Sequence, residues 1–132
     1  MRVLFYLIEL RKHLDRSEDK LKSAHILLEN NQITDSIGEA YYSIYHATMA
    51  ILILKDIHPR THSGLISEFG LHFVKNGTIE DVYAKILAKA ETKRIMADYD
   101  VDYQPSPKEA ESIIKDAQKF HERIKEAINQ LK

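Results

Sequence analysis

Cysteine is absent from the 132 residues, which excludes disulfides, thiolate metal sites, cysteine nucleophiles and iron–sulfur clusters together. Turn-formers are scarce: four glycines and three prolines argue against a β-rich chain. Neither sign of charge is in excess. Nineteen Lys and Arg against twenty Asp and Glu leave a net charge of −1, so a domain that coats DNA by electrostatics is not expected. No apolar run approaches the ~20 residues of a membrane helix. The opening MRVLFYLIEL is short, ends in acid and base rather than a small-residue cleavage site, and continues into an amphipathic helix. The expectation is a soluble, cytoplasmic chain with no membrane and no DNA partner. A glycine-rich phosphate loop, a Ser-His-Asp pattern and a nucleotidyltransferase signature are all missing.

What is present is a chain 44% hydrophobic and 30% charged, long enough to fold on one core and too short for two, so residues 1–132 read as a single domain. Apolar residues recur at helical spacing and no segment alternates as a half-buried strand does. The last helix is clearest. Ala110, Ile113, Ile114, Ala117, Phe120, Ile124, Ala127, Ile128 and Leu131 form one stripe, opened by Ser106 as cap, Pro107 at the first position and Glu109 to close a capping box. A first helix runs from about Phe5 to Glu29, with Leu14, Leu21, Ala24 and Leu28 inside, and stops at Asn30-Asn31.

Thr34 or Asp35 then caps a second helix reaching about Lys55. Its small stripe, Ser36, Ala40, Ser43, Ala47 and Ala50, allows close approach of a neighbour. Its bulky side carries Tyr41, Ile44, Tyr45, Thr48, Ile51 and Leu52, which places this helix at the centre. After a break at Ile57-His58-Pro59-Arg60 comes a short helix, Ser63 to about Val74, ending at Asn76-Gly77. A fourth spans about Ile79 to Ala97, and Asp98 to Pro105 is a loop. The fold expected is all-α, an up-and-down bundle of four long helices and one short one.

The inner stripe of the fourth helix reads Tyr83, Ile86, Leu87, Ala90 and then Arg94. A guanidinium on a core face needs an anionic or carbonyl partner. The next segment offers Asp98, Asp100 and Asp102, so Arg94 is a structural ion pair pinning that loop, an Arg that snorkels from the helix end, or a residue that carries chemistry. On the second helix, Glu39, Tyr42 and His46 follow at i, i+3 and i+7, either facing a nucleotide or partner or serving as core residues with polar tips. His58 and His62 are four apart but straddle Pro59, so they lack helical alignment, and no metal or other cofactor is expected. Thr61-His62-Ser63 precedes a helix and suits either capping or a phosphate.

Four segments occur in order: Ala40-Tyr41-Tyr42-Ser43-Ile44-Tyr45-His46-Ala47, Thr61-His62-Ser63-Gly64-Leu65-Ile66-Ser67-Glu68-Phe69-Gly70, Phe73-Val74-Lys75-Asn76-Gly77, and Arg94-Ile95-Met96-Ala97-Asp98-Tyr99-Asp100. Together they resemble the HEPN superfamily (higher eukaryotes and prokaryotes nucleotide-binding), in its small single-domain prokaryotic subgroup, from about Leu14 to Ile128. The resemblance implies a helical bundle, a homodimer, and a minimal nucleotidyltransferase partner, often as a toxin–antitoxin pair. Active members are metal-independent endoribonucleases with four to six residues between an Arg and a following His. Arg94 matches that Arg. The His positions hold Tyr99, Asp100 and Val101, within an Arg-x-x-Ala-Asp-Tyr pattern, and Glu39 stands where the subgroup often has Arg. Arg94, Asp98, Tyr99 and Asp100 are therefore the candidate catalytic residues, and Arg94, Tyr42, His46 and His62 the candidate nucleotide- or RNA-binding residues. Tyr99 or Tyr103 stands nearest the tyrosine that such partners adenylylate. Three readings follow: a binding module for nucleotide, RNA or a nucleotidyltransferase, an endoribonuclease toxin with a divergent second residue, and a purely structural interaction bundle.

Overall fold

A computed structural model describes residues 2–131. The chain forms α1 (Arg2–Glu29), α2 (Ile33–Ile53), α3 (His62–Phe69) running into a π-helical turn (Gly70–Val74), α4 (Asp81–Tyr99) and α5 (Pro107–Leu131). No strand occurs among the described residues, and the all-α bundle of four long helices and one short one stands. Helix α2 packs against every other helix. Its small stripe is the reason: Ser36, Ala40, Ser43, Ala47 and Ala50 are all fully buried, so neighbouring helices come close to its backbone. On its bulky side Tyr41, Ile44, Ile51 and Leu52 fill the core against Phe69, Leu87 and Phe120.

Helix α1 begins at Arg2 rather than about Phe5, and the boundaries differ from the sequence expectation in four further places, each with a local cause. Asn31 adopts φ 63°, the left-handed conformation that ends α1, and α2 then starts at Ile33, before either expected cap. Thr34 and Asp35 thus lie inside its first turn, and the preceding Gln32 makes no side-chain cap bond. Helix α2 stops at Ile53, not Lys55, and Asp56 turns the chain with φ 56°. The short helix divides at Gly70, where Lys75 N–H reaches back five residues to the Gly70 carbonyl at 2.8 Å, while Phe69 and Phe73 both stay inside.

The fourth difference bears on function. Helix α4 begins at Asp81 and continues two residues past Ala97 to Tyr99, so Asp98 sits on the last helical turn rather than in a loop. An i, i+4 ion pair from Arg94 to Asp98 supports that extra turn. At α5, Ser106 Oγ accepts the Glu109 N–H at 3.1 Å, as expected of a cap. Glu109 does not close the box. Its Oε1 is taken by Lys93 at 2.7 Å and the Tyr103 hydroxyl at 2.8 Å, which tie the α4–α5 loop down.

Candidate functional site

Arg94 is 7% exposed, on the inner face of α4. Its Nη2 donates to Glu91 Oε1 at 2.9 Å and its Nη1 to Asp98 Oδ2 at 3.2 Å, and the guanidinium lies 5.3 Å from the centre of the Tyr41 ring. Burial works against the charge, but the bonds to Glu91 and Asp98 outweigh it and hold the Arg94 pKa above its ordinary value. Two buried atoms in this cluster have no hydrogen-bond partner: Arg94 Nε and Glu91 Oε2. Such orphans are uncommon in a native core and mark a place where a further group fits.

Helices α2 and α3 complete the surroundings. The Thr61 side chain accepts the Gly64 N–H at 2.9 Å, capping α3 and fixing His62 on its first turn. His62 Nδ1 meets the Tyr41 hydroxyl at 2.5 Å and stands 3.8 Å from Glu91 Oε2. Burial first, then Glu91, pushes the Tyr41 hydroxyl pKa far up, so it stays protonated. The imidazole is packed among three rings of α2, with centroids 5.5 Å from Tyr41, 6.3 Å from Tyr42 and 5.4 Å from Tyr45. Its side chain is 37% exposed, so His62 is the solvent-facing member of an Arg94–Glu91–Tyr41–His62 cluster drawn from three helices.

The structure brings Arg94, Asp98, Tyr42 and His62 together and leaves the other candidates elsewhere. Tyr99 is 77% exposed, and Asp100 ends α4 with its side chain accepting the Asp102 N–H. Neither bonds to Arg94. His46 points instead to α1, where its Nδ1 meets His13 Nδ1 at 3.0 Å. Glu39 pairs with Lys20 at 3.2 Å, so the row Glu39, Tyr42, His46 serves three separate neighbours. Tyr103 is held by Glu109. Beside Asp98 and Tyr42 runs a shallow cleft that Asp35 and Glu39 also line.

Sequence reasoning missed Glu91 and Tyr41 as members of the site. The signal for Glu91 was present, since a carboxylate three residues before an inward Arg on one helix meets it. Tyr41 read as core, which it is, yet its hydroxyl reaches His62. A second polar network was also missed. Ser17 Oγ donates to the Ser43 carbonyl at 2.7 Å and meets His121 Nδ1 at 2.7 Å, joining α1, α2 and α5. Burial lowers the His121 pKa.

Comparison with known proteins converges on one family. The HEPN domain model matches residues 10–127. A Methanocaldococcus jannaschii protein named "Putative toxin MJ0605" is 41% identical over 123 residues, 93% of this chain and 91% of its own length. A second protein of that organism, "Putative toxin MJ0142", is 28% identical over 111 residues, 84% of this chain and 76% of its own. "UPF0332 protein PH1297" of Pyrococcus horikoshii is 57% identical over 79 residues, 60% of this chain and 56% of its own. With a five-helix architecture, a matched span that takes in every residue of the Arg94 cluster and relatives along most of its length, this chain belongs to the HEPN domain family.

Proposed function

We propose that this chain is a toxin-like HEPN module whose Arg94 site takes up a phosphate-bearing ligand, a nucleotide or a stretch of RNA. It acts in the cytoplasm as a homodimer with a minimal nucleotidyltransferase as partner. The observation that carries this reading is the state of Arg94: a guanidinium withdrawn from water, anchored through both Nη atoms, with Nε unpaired. An ion pair kept only for stability is readily replaced by apolar packing, whereas a fixed planar donor suits a phosphate oxygen. The names of the relatives supply the toxin context. The carboxylates of Asp35, Glu39 and Asp98 along the adjoining cleft disfavour a long nucleic-acid track and favour a compact ligand or a basic protein surface.

A second reading, a metal-independent endoribonuclease, is favoured by one observation. The histidine absent after Arg94 in the sequence is supplied in space by His62 of α3, at the same cluster. RNA cleavage of that kind needs a base to take the 2′-hydroxyl proton and a cation to stabilise the phosphorane, and an imidazole and a guanidinium are suited to those tasks. One experiment separates the readings. Purified wild type and Arg94→Ala are incubated with RNA in EDTA, and their melting temperatures are measured with and without ATP. Stabilisation of the wild type alone, with intact RNA, is the expected result. Cleavage by the wild type alone moves the assignment to the endoribonuclease. Neither response from a folded wild type removes the ligand site.

A further inference from the structure

The Arg94 site carries more negative than positive charge as it stands. Arg94 contributes one positive charge, and Glu91 and Asp98, both bonded to it, contribute two negative ones. A phosphate entering such a cluster meets a net repulsion unless a positive charge enters with it. The side chain placed to supply that charge is His62. It is more exposed than Arg94, so an incoming anion reaches it first. Its Nε2 takes part in no hydrogen bond with the described residues, while Nδ1 is engaged inward.

We propose that His62 engages the ligand phosphate as an imidazolium, so that binding at the Arg94 site takes up one proton. This rests on the phosphate-ligand reading above and adds the proton to it. The groups facing His62 are Tyr41, Tyr42 and Tyr45 from α2 and Glu91 from α4, with Arg94 and Asp98 behind Glu91. On its own side of the chain the neighbours are the hydroxyls of Thr61 and Ser63. With its hydrogen on Nε2, neutral His62 accepts the Tyr41 hydroxyl hydrogen at Nδ1, while the imidazolium donates from Nδ1 to the Tyr41 oxygen, so the contact survives in either state. Protonation brings the cluster to zero net charge and presents a charged Nε2–H to the phosphate.

The test is calorimetric titration of ATP and of a short single-stranded RNA, in EDTA, between about pH 5 and 8 in buffers of different ionisation enthalpy. The phosphodiesters of RNA do not titrate in this range. The protonation of ATP itself is common to wild type and variant and cancels between them. Wild type is expected to take up about one proton per ligand, with affinity falling toward tenfold per pH unit at the alkaline end. His62→Gln, which keeps a polar group for Tyr41, is expected to bind weakly and with no proton uptake. Glu91→Gln removes one negative charge, so its affinity at the alkaline end is expected to rise several-fold. Wild-type binding without pH dependence, pH dependence that survives in His62→Gln, or unchanged alkaline affinity in Glu91→Gln overturns the proton linkage and leaves the Arg94 site standing. No binding of either ligand at any pH overturns both.

Discussion

The Nδ1 atoms of His13 and His46 face each other at 3.0 Å across the α1–α2 seam, their rings stacked 5.2 Å apart. Two ring nitrogens that close share a single hydrogen, one donating and the other accepting, so the contact holds only while at least one ring is neutral. A second proton puts two positive charges at hydrogen-bond distance, in a seam that already holds Arg16 and Lys20 nearby.

Stability is therefore expected to fall in acid because of this pair. Burial lowers both pKa values, that of His46 to about 4, with Arg16 adding to the effect. Unfolded histidine titrates near 6.5, so between about pH 6.5 and 4 the unfolded chain binds more protons than the folded one. The neutral pair contributes fully above about 6.5 and its contribution is lost as pH falls, by on the order of 3 kcal/mol across the window. Urea unfolding of wild type and His46→Gln over that range measures it. A slope as steep in the variant as in the wild type would show that other groups carry the acid sensitivity.

Removing Arg94 is expected to cost stability as well as ligand binding. Arg94→Ala leaves the Glu91 carboxylate, whose side chain is only 13% exposed, without its cation. Breaking a buried pair from one side costs about 3 kcal/mol or somewhat more, because an uncompensated charge stays behind. Arg94→Met with Glu91→Leu removes both charges and fills similar volume, so the double variant is expected to recover most of that loss. Guanidinium unfolding midpoints read this directly. A double variant no more stable than Arg94→Ala would mean that the cost lies in the lost guanidinium contact with the Tyr41 ring rather than in the unpaired carboxylate.

The helix layout was legible because it rests on periodicity: the α5 stripe from Ala110 to Ile128 and the small stripe of α2 are both buried, and of the expected positions only Leu131, at the end of α5, is exposed. Boundaries were less so: the α1 stop at Asn30-Asn31 was legible from residue type, but Asp56 and Gly70 set theirs through backbone conformation and not through pattern. Arg94 stood out as a charge on an apolar line. Its partner Asp98 stood among the carboxylates that follow it, but Glu91 did not, because the reading looked forward while the tighter bond runs back. His62 and His13 belong to their clusters only through tertiary packing, and no spacing along the chain relates His62 to Glu91 or His13 to His46. The direction of His46, away from Arg94, follows from the same cause.

Ser17 is expected to matter beyond its size. It is fully buried, bonds to α2 and α5 at once, and stands where α1 would otherwise present an apolar residue. Its hydroxyl hydrogen goes to the Ser43 carbonyl, so His121 Nδ1–H donates to the Ser17 oxygen. Ser17→Ala then leaves a buried imidazole N–H unpaired, at a cost of about 1–3 kcal/mol. His121→Phe in the same background removes the unpaired donor and is expected to restore part of the loss. Thermal unfolding of Ser17→Ala, His121→Phe and the double variant checks this, and additive losses would show that the two side chains do not act on one another.

The first turn of α3 links the cap to the site. Thr61→Ala deprives the Gly64 N–H of its acceptor and is expected to cost about 1 kcal/mol. Gly64→Ala attacks the same bond from the other end, because a Cβ there would come within 2.8 Å of Thr61 Oγ1 and must displace it. Both changes lie on residues outside the Arg94 cluster, yet both loosen the turn that holds His62 against Tyr41. Each is therefore expected to weaken ATP binding several-fold while leaving the helical circular dichroism intact. Thr61→Ser keeps the acceptor oxygen and is expected to retain wild-type affinity. If Thr61→Ala lowers the melting temperature and leaves ATP affinity unchanged, the cap serves α3 alone, and His62 is held in place by its tyrosines.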